Sequence, residues 1–420
     1  MKRLLILLCL LVPVAALAQP SEEQLRQDLR ENIYRSSLTT CPYEYTPAKL
    51  TPAPRGFKPF YISHYGRHGS RTNWDDEGTT YASIQKKYHD AAQAGLLTEE
   101  GLAASALIDT LILLHNGSDG RLTRLGAQEH RQIAGRMYAN YKEVFRKGSK
   151  KVSARSSTVQ RVLVSMAAFT GELLSRQGDL DIDWDTSNKI MKIVSSDASR
   201  AHRDTLRPRV QQFNKTHRID SMAFLRRVFK DPEAGRALLG GKGHRLASQT
   251  LFLADGCGAF GLDDRLYRLF TEEDILHHAQ SNAISLYMRQ ANSVEYGDLR
   301  MPRIEPLLDD IIARADAAIA TGEYAADLRF GHDFPLVAFS ARLALSGVGD
   351  RWTFDECINW PGWRYSPFAG NVQLVFYRNK AGEVLVKALI NERETAILGL
   401  EGFPYYRWED YKALLLAGKK

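Results

Sequence analysis

Phe57-Lys58-Pro59-Phe60-Tyr61-Ile62-Ser63-His64-Tyr65-Gly66-Arg67-His68-Gly69-Ser70-Arg71-Thr72 is the stretch on which the reading of this chain turns. Aromatic and β-branched residues crowd its first half, which predicts a strand over 57–63. The Pro-rich run Thr51-Pro52-Ala53-Pro54 leads into it as an extended connector. Gly66 and Gly69 then make a turn-like passage at the strand's carboxyl end, the place where open α/β sheets bind ligands. Two arginines flank a histidine there. A guanidinium grips two anionic oxygens at once and keeps its charge at any working pH. Arg67 and Arg71 around His68 therefore suit a nucleophile that attacks a phosphate monoester dianion. For an Arg-His-Gly tripeptide alone, surface arginines beside a turn histidine are the better description. The partners found outward from it change that balance.

The first partner is Ala154-Arg155-Ser156-Ser157-Thr158-Val159-Gln160-Arg161, at the end of a short predicted strand (151–155) and the start of a helix (158–176). Free N–H groups and the positive dipole end of a helix suit phosphate. Arg161 supplies a third guanidinium and Arg155 a fourth contact. The second partner is Gly331-His332-Asp333, after a predicted strand at 325–330. A carboxylic acid beside a departing alkoxide gives it a proton, and His332 is placed to bond a phosphate oxygen. A plain N-cap is the alternative role for Asp333.

In combination, Arg67-His68-Gly69-Ser70-Arg71-Thr72, Arg155 with Arg161, and His332-Asp333 resemble the signature of the histidine acid phosphatases. This is the branch of the histidine phosphatase superfamily that includes phytases and multiple inositol polyphosphate phosphatases. Leu122-Thr123-Arg124-Leu125-Gly126 and Pro367-Phe368-Ala369-Gly370-Asn371 share the likeness, which extends over most of the chain. The resemblance implies His68 as the phosphorylated nucleophile, with Arg67, Arg71 and Arg161 clamping the phosphate. It implies His332 as the second histidine of that pocket, Asp333 as proton donor, and no metal or organic cofactor. Two positions depart from the family pattern. Asn73 stands where a proline is usual, which bears on loop stiffness more than on chemistry. His332-Asp333 follows phytases and general acid phosphatases, whereas inositol polyphosphate phosphatases carry His-Ala-Glu.

The remaining periodicity predicts an α/β fold, with a central mainly parallel sheet flanked by helices and an inserted helical subdomain. Helical patterns cover 79–95, 98–115 and 123–146, and Ile190 to Val194 reads as a further strand. From about 200 to 300 the chain is polar and helical. Leu307, Leu308, Ile311, Ile312 and Ala315 make one helix face, and strands at 372–377 and 384–390 join through Asn379-Lys380-Ala381-Gly382 as a hairpin. The expected organisation is a phosphatase core in 19–185 and 301–420 around a helical insert at 186–300.

Lys2, Arg3, the apolar run Leu4 to Ala16 and Ala16-Leu17-Ala18 read as a secretory leader cleaved after Ala18. The expectation is a periplasmic or secreted protein with no membrane anchor. The chain carries a formal charge of +7, two units of which lie in that leader. This mild excess suits a small anionic phosphate-ester substrate, whereas nucleic-acid binding needs a denser basic run. Arg200, His202, Arg203 and Arg207 cluster in the insert, where a solvated basic face is the simpler reading. Cys41, Cys257 and Cys357 allow one disulfide with a thiol left over. The spacings hold no metal-binding pattern. Phytate and other inositol phosphates are candidate substrates, alongside sugar phosphates and nucleotides. A non-catalytic polyanion binder needs neither His68 nor Asp333, and a cofactor-independent phosphomutase fits poorly with export.

Overall fold

Strand β1 (Lys58–Arg67) runs through the middle of an eight-stranded sheet and ends on the arginine that precedes His68. This architecture comes from a computed structural model that describes residues 19–75, 79–195 and 203–419. The expected leader at 1–18 lies outside the described residues, as do Arg200 and His202 and the side chain of Arg203. The other strands are β2 (Lys151–Ser156), β3 (Asp181–Asp185), β4 (Tyr324–Gly331), β5 (Asn371–Arg378), β6 (Val384–Ile390), β7 (Arg393–Glu394) and β8 (Tyr406–Arg407). Their order is β3-β2-β4-β1-β5-β6-β7, with β8 on β6. From β3 to β1 all neighbours are parallel, and from β1 onward all are antiparallel. The mainly parallel centre flanked by helices is as expected, and so is the β5–β6 hairpin.

Register brings the three functional strand ends level. Arg67 pairs with Gly331, and Ser156 pairs with Phe330 one residue earlier. Chain segments from residues near 68, 157 and 332 thus leave the same edge of the sheet. Pro59 sits at an irregularity in the β1–β5 ladder, as befits a residue with no N–H to donate.

The two faces of the sheet are different. Alternation sends Ile62, Phe330, Val152 and Ala154 into an apolar cluster under the helices Arg124–Lys147 and Gln160–Arg176. On the opposite face Tyr61 and Tyr65 meet the helices Glu305–Thr321 and Asp333–Arg342. A third cluster is wholly helical. It joins Tyr81, Ile84, Tyr88 and Leu97 to Leu111 with Phe224, Leu246, Leu251 and Ile275, so two distant chain segments share one core. Among the described residues no helix is long and apolar enough to cross a membrane.

Three expectations are corrected. Ile190 to Val194 is not a strand: it forms a short 3-10 turn and a helical turn, and the edge strand lies earlier, at β3. Four apolar residues around Lys192 suit either period, whereas the Asp-Ile-Asp-Trp-Asp alternation of β3 is that of a half-exposed edge. Cys41, Cys257 and Cys357 are buried free thiols. Finally, Arg155 does not face the phosphate pocket. It points from β2 into a buried ion network, donating to both oxygens of Asp310 at 2.8 Å and to Asp327 at 3.3 Å.

That network sits one row behind the site. Arg329 of β4 also binds Asp310, at 2.7 Å through Nε, while Tyr61 donates to Asp327 at 2.8 Å. Burial pushes the Asp310 carboxyl up, but Arg329 and Arg155 outweigh it and hold it far below the usual carboxylate range. A depressed carboxylate contributes stability above its unfolded value of about 4 and loses it only as pH falls through the folded value. Asp310 therefore stays charged in mildly acidic solution. Asp310→Asn leaves Arg155 and Arg329 to share the single carboxylate of Asp327 and should cost about 3–5 kcal/mol. Urea denaturation should find that loss nearly unchanged between neutral pH and pH ~5.

Candidate active site

His68 is fixed through its backbone before its side chain is considered. Its N–H donates to Gly331 O at 3.1 Å, and its carbonyl accepts from Ala369 N–H at 2.9 Å. Arg67 N–H donates to Gly370 O at 2.8 Å. Residues 367–370 thus take over where β5 stops pairing with β1, with Ala369 held at a left-handed φ of +54°. On the far side Gly331 admits no side chain, since a Cβ there would lie 2.0 Å from the Tyr65 hydroxyl and 2.1 Å from Val194 O.

Gly69 and Gly126 allow the next close approach. A Cβ on Gly69 would meet Gly126 O at 2.3 Å, and one on Gly126 would meet Ser70 O at 2.2 Å. Thr123 caps the helix Arg124–Lys147 and also bonds Ser70 O through its N–H, at 2.9 Å, and its hydroxyl, at 3.1 Å. Glu129, one turn further, accepts from Ser70 N–H and Ser70 Oγ, both at 2.7 Å, and from Tyr43 N–H at 3.0 Å. Ser165 Oγ accepts Gly69 N–H at 3.1 Å. The loop is therefore bonded at every residue from 67 to 70.

The His68 ring is buried, with Nδ1 2.9 Å from Gly69 O. A carbonyl oxygen only accepts, so Nδ1 carries the hydrogen and Nε2 keeps its lone pair. Burial, Arg67, Arg161 and Arg71 together push the ring's pKa well below that of an ordinary histidine. The imidazole is thereby held toward its neutral form, with the hydrogen on Nδ1.

Around it stand the other residues expected from sequence, Arg155 excepted. Arg67 donates to Thr39 O at 2.5 Å and Ser366 O at 2.9 Å. Its guanidinium lies 4.8 Å from the centre of the Phe368 ring, and that of Arg71 lies 5.9 Å from the same ring. Buried Nε–H groups of Arg67, Arg71 and Arg161 find no acceptor among the described residues. Each such donor costs about 1–3 kcal/mol unless an anion satisfies it, so the donor set fits a phosphate. The pKa of Arg67 is pushed down to about 10, mainly by burial, as is that of Arg161. Both remain cations at working pH.

His332 and His68 face each other edge to face, with ring centres 5.7 Å apart. His332 Nε2 lies 3.2 Å from Ser157 Oγ, and burial together with Arg161 pushes its pKa down to about 4. It occupies the N-cap position of the helix Asp333–Arg342 without a side-chain cap bond, so Asp333 is the first helical residue and not the cap. The helix Gln160–Arg176 likewise starts with no side-chain cap. Burial pushes Asp333 up, but Arg67, His332 and Arg71 outweigh it and hold the carboxyl below its ordinary value. Sequence reasoning gave no role to Glu129, Ser157 or Ser165. Phe368 and Gly126 stood in quoted motifs without an assigned task.

The model of the histidine phosphatase superfamily (branch 2) matches residues 66–391. No curated protein matches the chain by sequence. Among solved structures, a multiple inositol polyphosphate phosphatase from Bifidobacterium longum, in complex with inositol hexasulfate, superposes with a TM-score of 0.68 at 19% identity. The match covers 91% of this chain and 97% of that one. A phytase from D. castellii gives a TM-score of 0.64 at 16% identity, over 93% and 86% of the two chains. Hafnia alvei phytase in complex with tartrate gives 0.51 at 12%, over 87% and 98%. At such identities these likenesses speak for the fold. With the family model spanning most of its length, the chain belongs to branch 2 of the histidine phosphatase superfamily and is a phosphomonoesterase of the histidine acid phosphatase type.

Proposed function

We propose that this phosphatase is exported and works through a phosphohistidine on His68, with inositol polyphosphates among its substrates. The observation that carries the mechanism is the neutral His68 ring, its Nδ1–H engaged by Gly69 O at 2.9 Å and its Nε2 free. Arg67, Arg71 and Arg161 bind the non-bridging oxygens through donors that the protein leaves unmet. His332 adds a fourth contact. Nε2 attacks phosphorus in line, the ester P–O bond breaks, and Asp333 gives its proton to the leaving oxygen. The phosphorylated ring is a cation, and Gly69 O stabilises its Nδ1–H. Water then attacks the P–N bond from the vacated side. Asp333 takes the water's proton, phosphate leaves, and His68 returns neutral. The arginines contribute electrostatic preorganisation in a buried site.

Asp333 has to be protonated for the first step, although its neighbours favour the anion. A bound dianion offsets Arg67 and Arg71 and lifts the carboxyl back up. Inositol polyphosphate as substrate is supported by the relative that binds inositol hexasulfate, and export by the leader-like first 18 residues.

His68→Ala should lower phosphate release from phytate and from 4-nitrophenyl phosphate by about 10⁴-fold or more while circular dichroism stays native. Alkaline quenching of wild type with labelled substrate should trap an acid-labile protein-bound phosphate. Equal turnover by the two proteins would remove His68 from the mechanism. Asp333→Asn should slow alkyl phosphates by about 10²–10⁴-fold and aryl phosphates, whose leaving groups need no proton, by far less. For alkyl esters kcat should fall as pH rises through the Asp333 pKa of the complex, and that limb should vanish in Asp333→Asn. Protein recovered from the periplasm or medium should begin at Gln19; an intact Met1 there would refute the leader.

A further inference from the structure

The floor and inner walls of the site are closed: His68, Arg67 and Phe368 are 2%, 1% and 0% exposed. The ester substituent must leave toward solvent, past the half-exposed Arg71 and Arg161. Trp74 stands on that side, 52% exposed, its ring centre 5.8 Å from the guanidinium carbon of Arg161. Val164 lies one helical turn beyond Arg161 and is also exposed.

An exposed tryptophan can be mere surface, but this one is held. Asn73 before it donates through Nδ2 to Phe252 O at 3.3 Å, and its carbonyl accepts from His115 Nε2 at 2.9 Å. Asp75 after it donates its N–H to Asp119 Oδ1 at 2.9 Å. Gly120, at a φ of +62°, closes the gap beneath. A Cβ there would lie 2.9 Å from Trp74 Cζ2 and 3.3 Å from Arg161 Nη1. The backbone on both sides of the indole is thus fixed and its edge is packed, while half the side chain stays open beside a phosphate-binding cation.

We propose that Trp74 is a specificity-determining residue: an aromatic platform at the mouth that favours phosphate monoesters whose leaving group carries an uncharged aromatic ring. The proposal rests on the phosphatase reading and adds a substrate class to it. Such a ring stacks on the indole while its phosphate sits on Arg161.

The test is steady-state hydrolysis of 1-naphthyl phosphate and of glycerol 2-phosphate by wild type, Trp74→Ala and Trp74→Phe. Comparing each variant with wild type on the same ester cancels leaving-group reactivity. Trp74→Ala should lower kcat/KM for the naphthyl ester about ten-fold, mostly through KM, and change that for the glycerol ester by less than about two-fold. Trp74→Phe should recover most of the loss. Equal losses on both esters, the mark of a loop that merely loosened, overturn the proposal, and so does no change on either. Wild type that releases phosphate from neither ester overturns the phosphatase reading itself, and the proposal falls with it.

Discussion

His68 has backbone hydrogen bonds to two different parts of the chain, and every other feature of the site takes its position from them. Gly331 O holds its N–H from the parallel side of β1, and Ala369 N–H holds its carbonyl from the antiparallel side. The central strand has a parallel neighbour on one flank and an antiparallel neighbour on the other. This is what puts His332, Asp333 and Phe368 around one ring. Glycine is required where these chains crowd, at 69, 126 and 331, because a methyl group at any of them would overlap backbone or a buried hydroxyl. The chemistry follows from packing that admits no side chain.

The arginines divide into two sets by what is buried beside them. Arg155 and Arg329 meet Asp310 and Asp327, so their charge is neutralised inside the protein and serves stability. Arg67, Arg71 and Arg161 have no carboxylate acceptor and keep Nε–H groups unmet. Burial without a partner is unfavourable, and the charges of these three arginines all bear on the His68 ring. An incoming dianion relieves it. The same positive field lowers the pKa of the His68 ring and, against burial, that of the Asp333 carboxyl.

Much of this was legible in the sequence, for physical reasons that differ by residue. The strand before His68, the flanking arginines and the glycines are local in the chain, and their chemistry is readable wherever they sit. Asp333 and His332 were reachable because a strand and a helix start bracket them. Arg155 was misjudged because strand parity and Asp310, contributed by a distant helix, decide where its guanidinium goes. No spacing announces that partner. Glu129 and Ser165 looked like ordinary helix residues, since what they bind is a loop's backbone and backbone leaves no mark in composition. The true edge strand at β3 was hidden by its charges, and the mostly apolar segment at 190–194 was the more strand-like of the two.

The pairing of β1 also sets an order of events. Its two neighbours, β4 and β5, come from residues 324–331 and 371–378. A ribosome therefore finishes most of the chain before the strand that leads into His68 has anything to pair with, and contacts so remote in sequence are slow to close. Until then the arginine-rich loop has no floor and His68 no fixed neighbours. A nascent or truncated chain that ends before residue 371 carries the whole catalytic histidine loop yet lacks the frame that arms it.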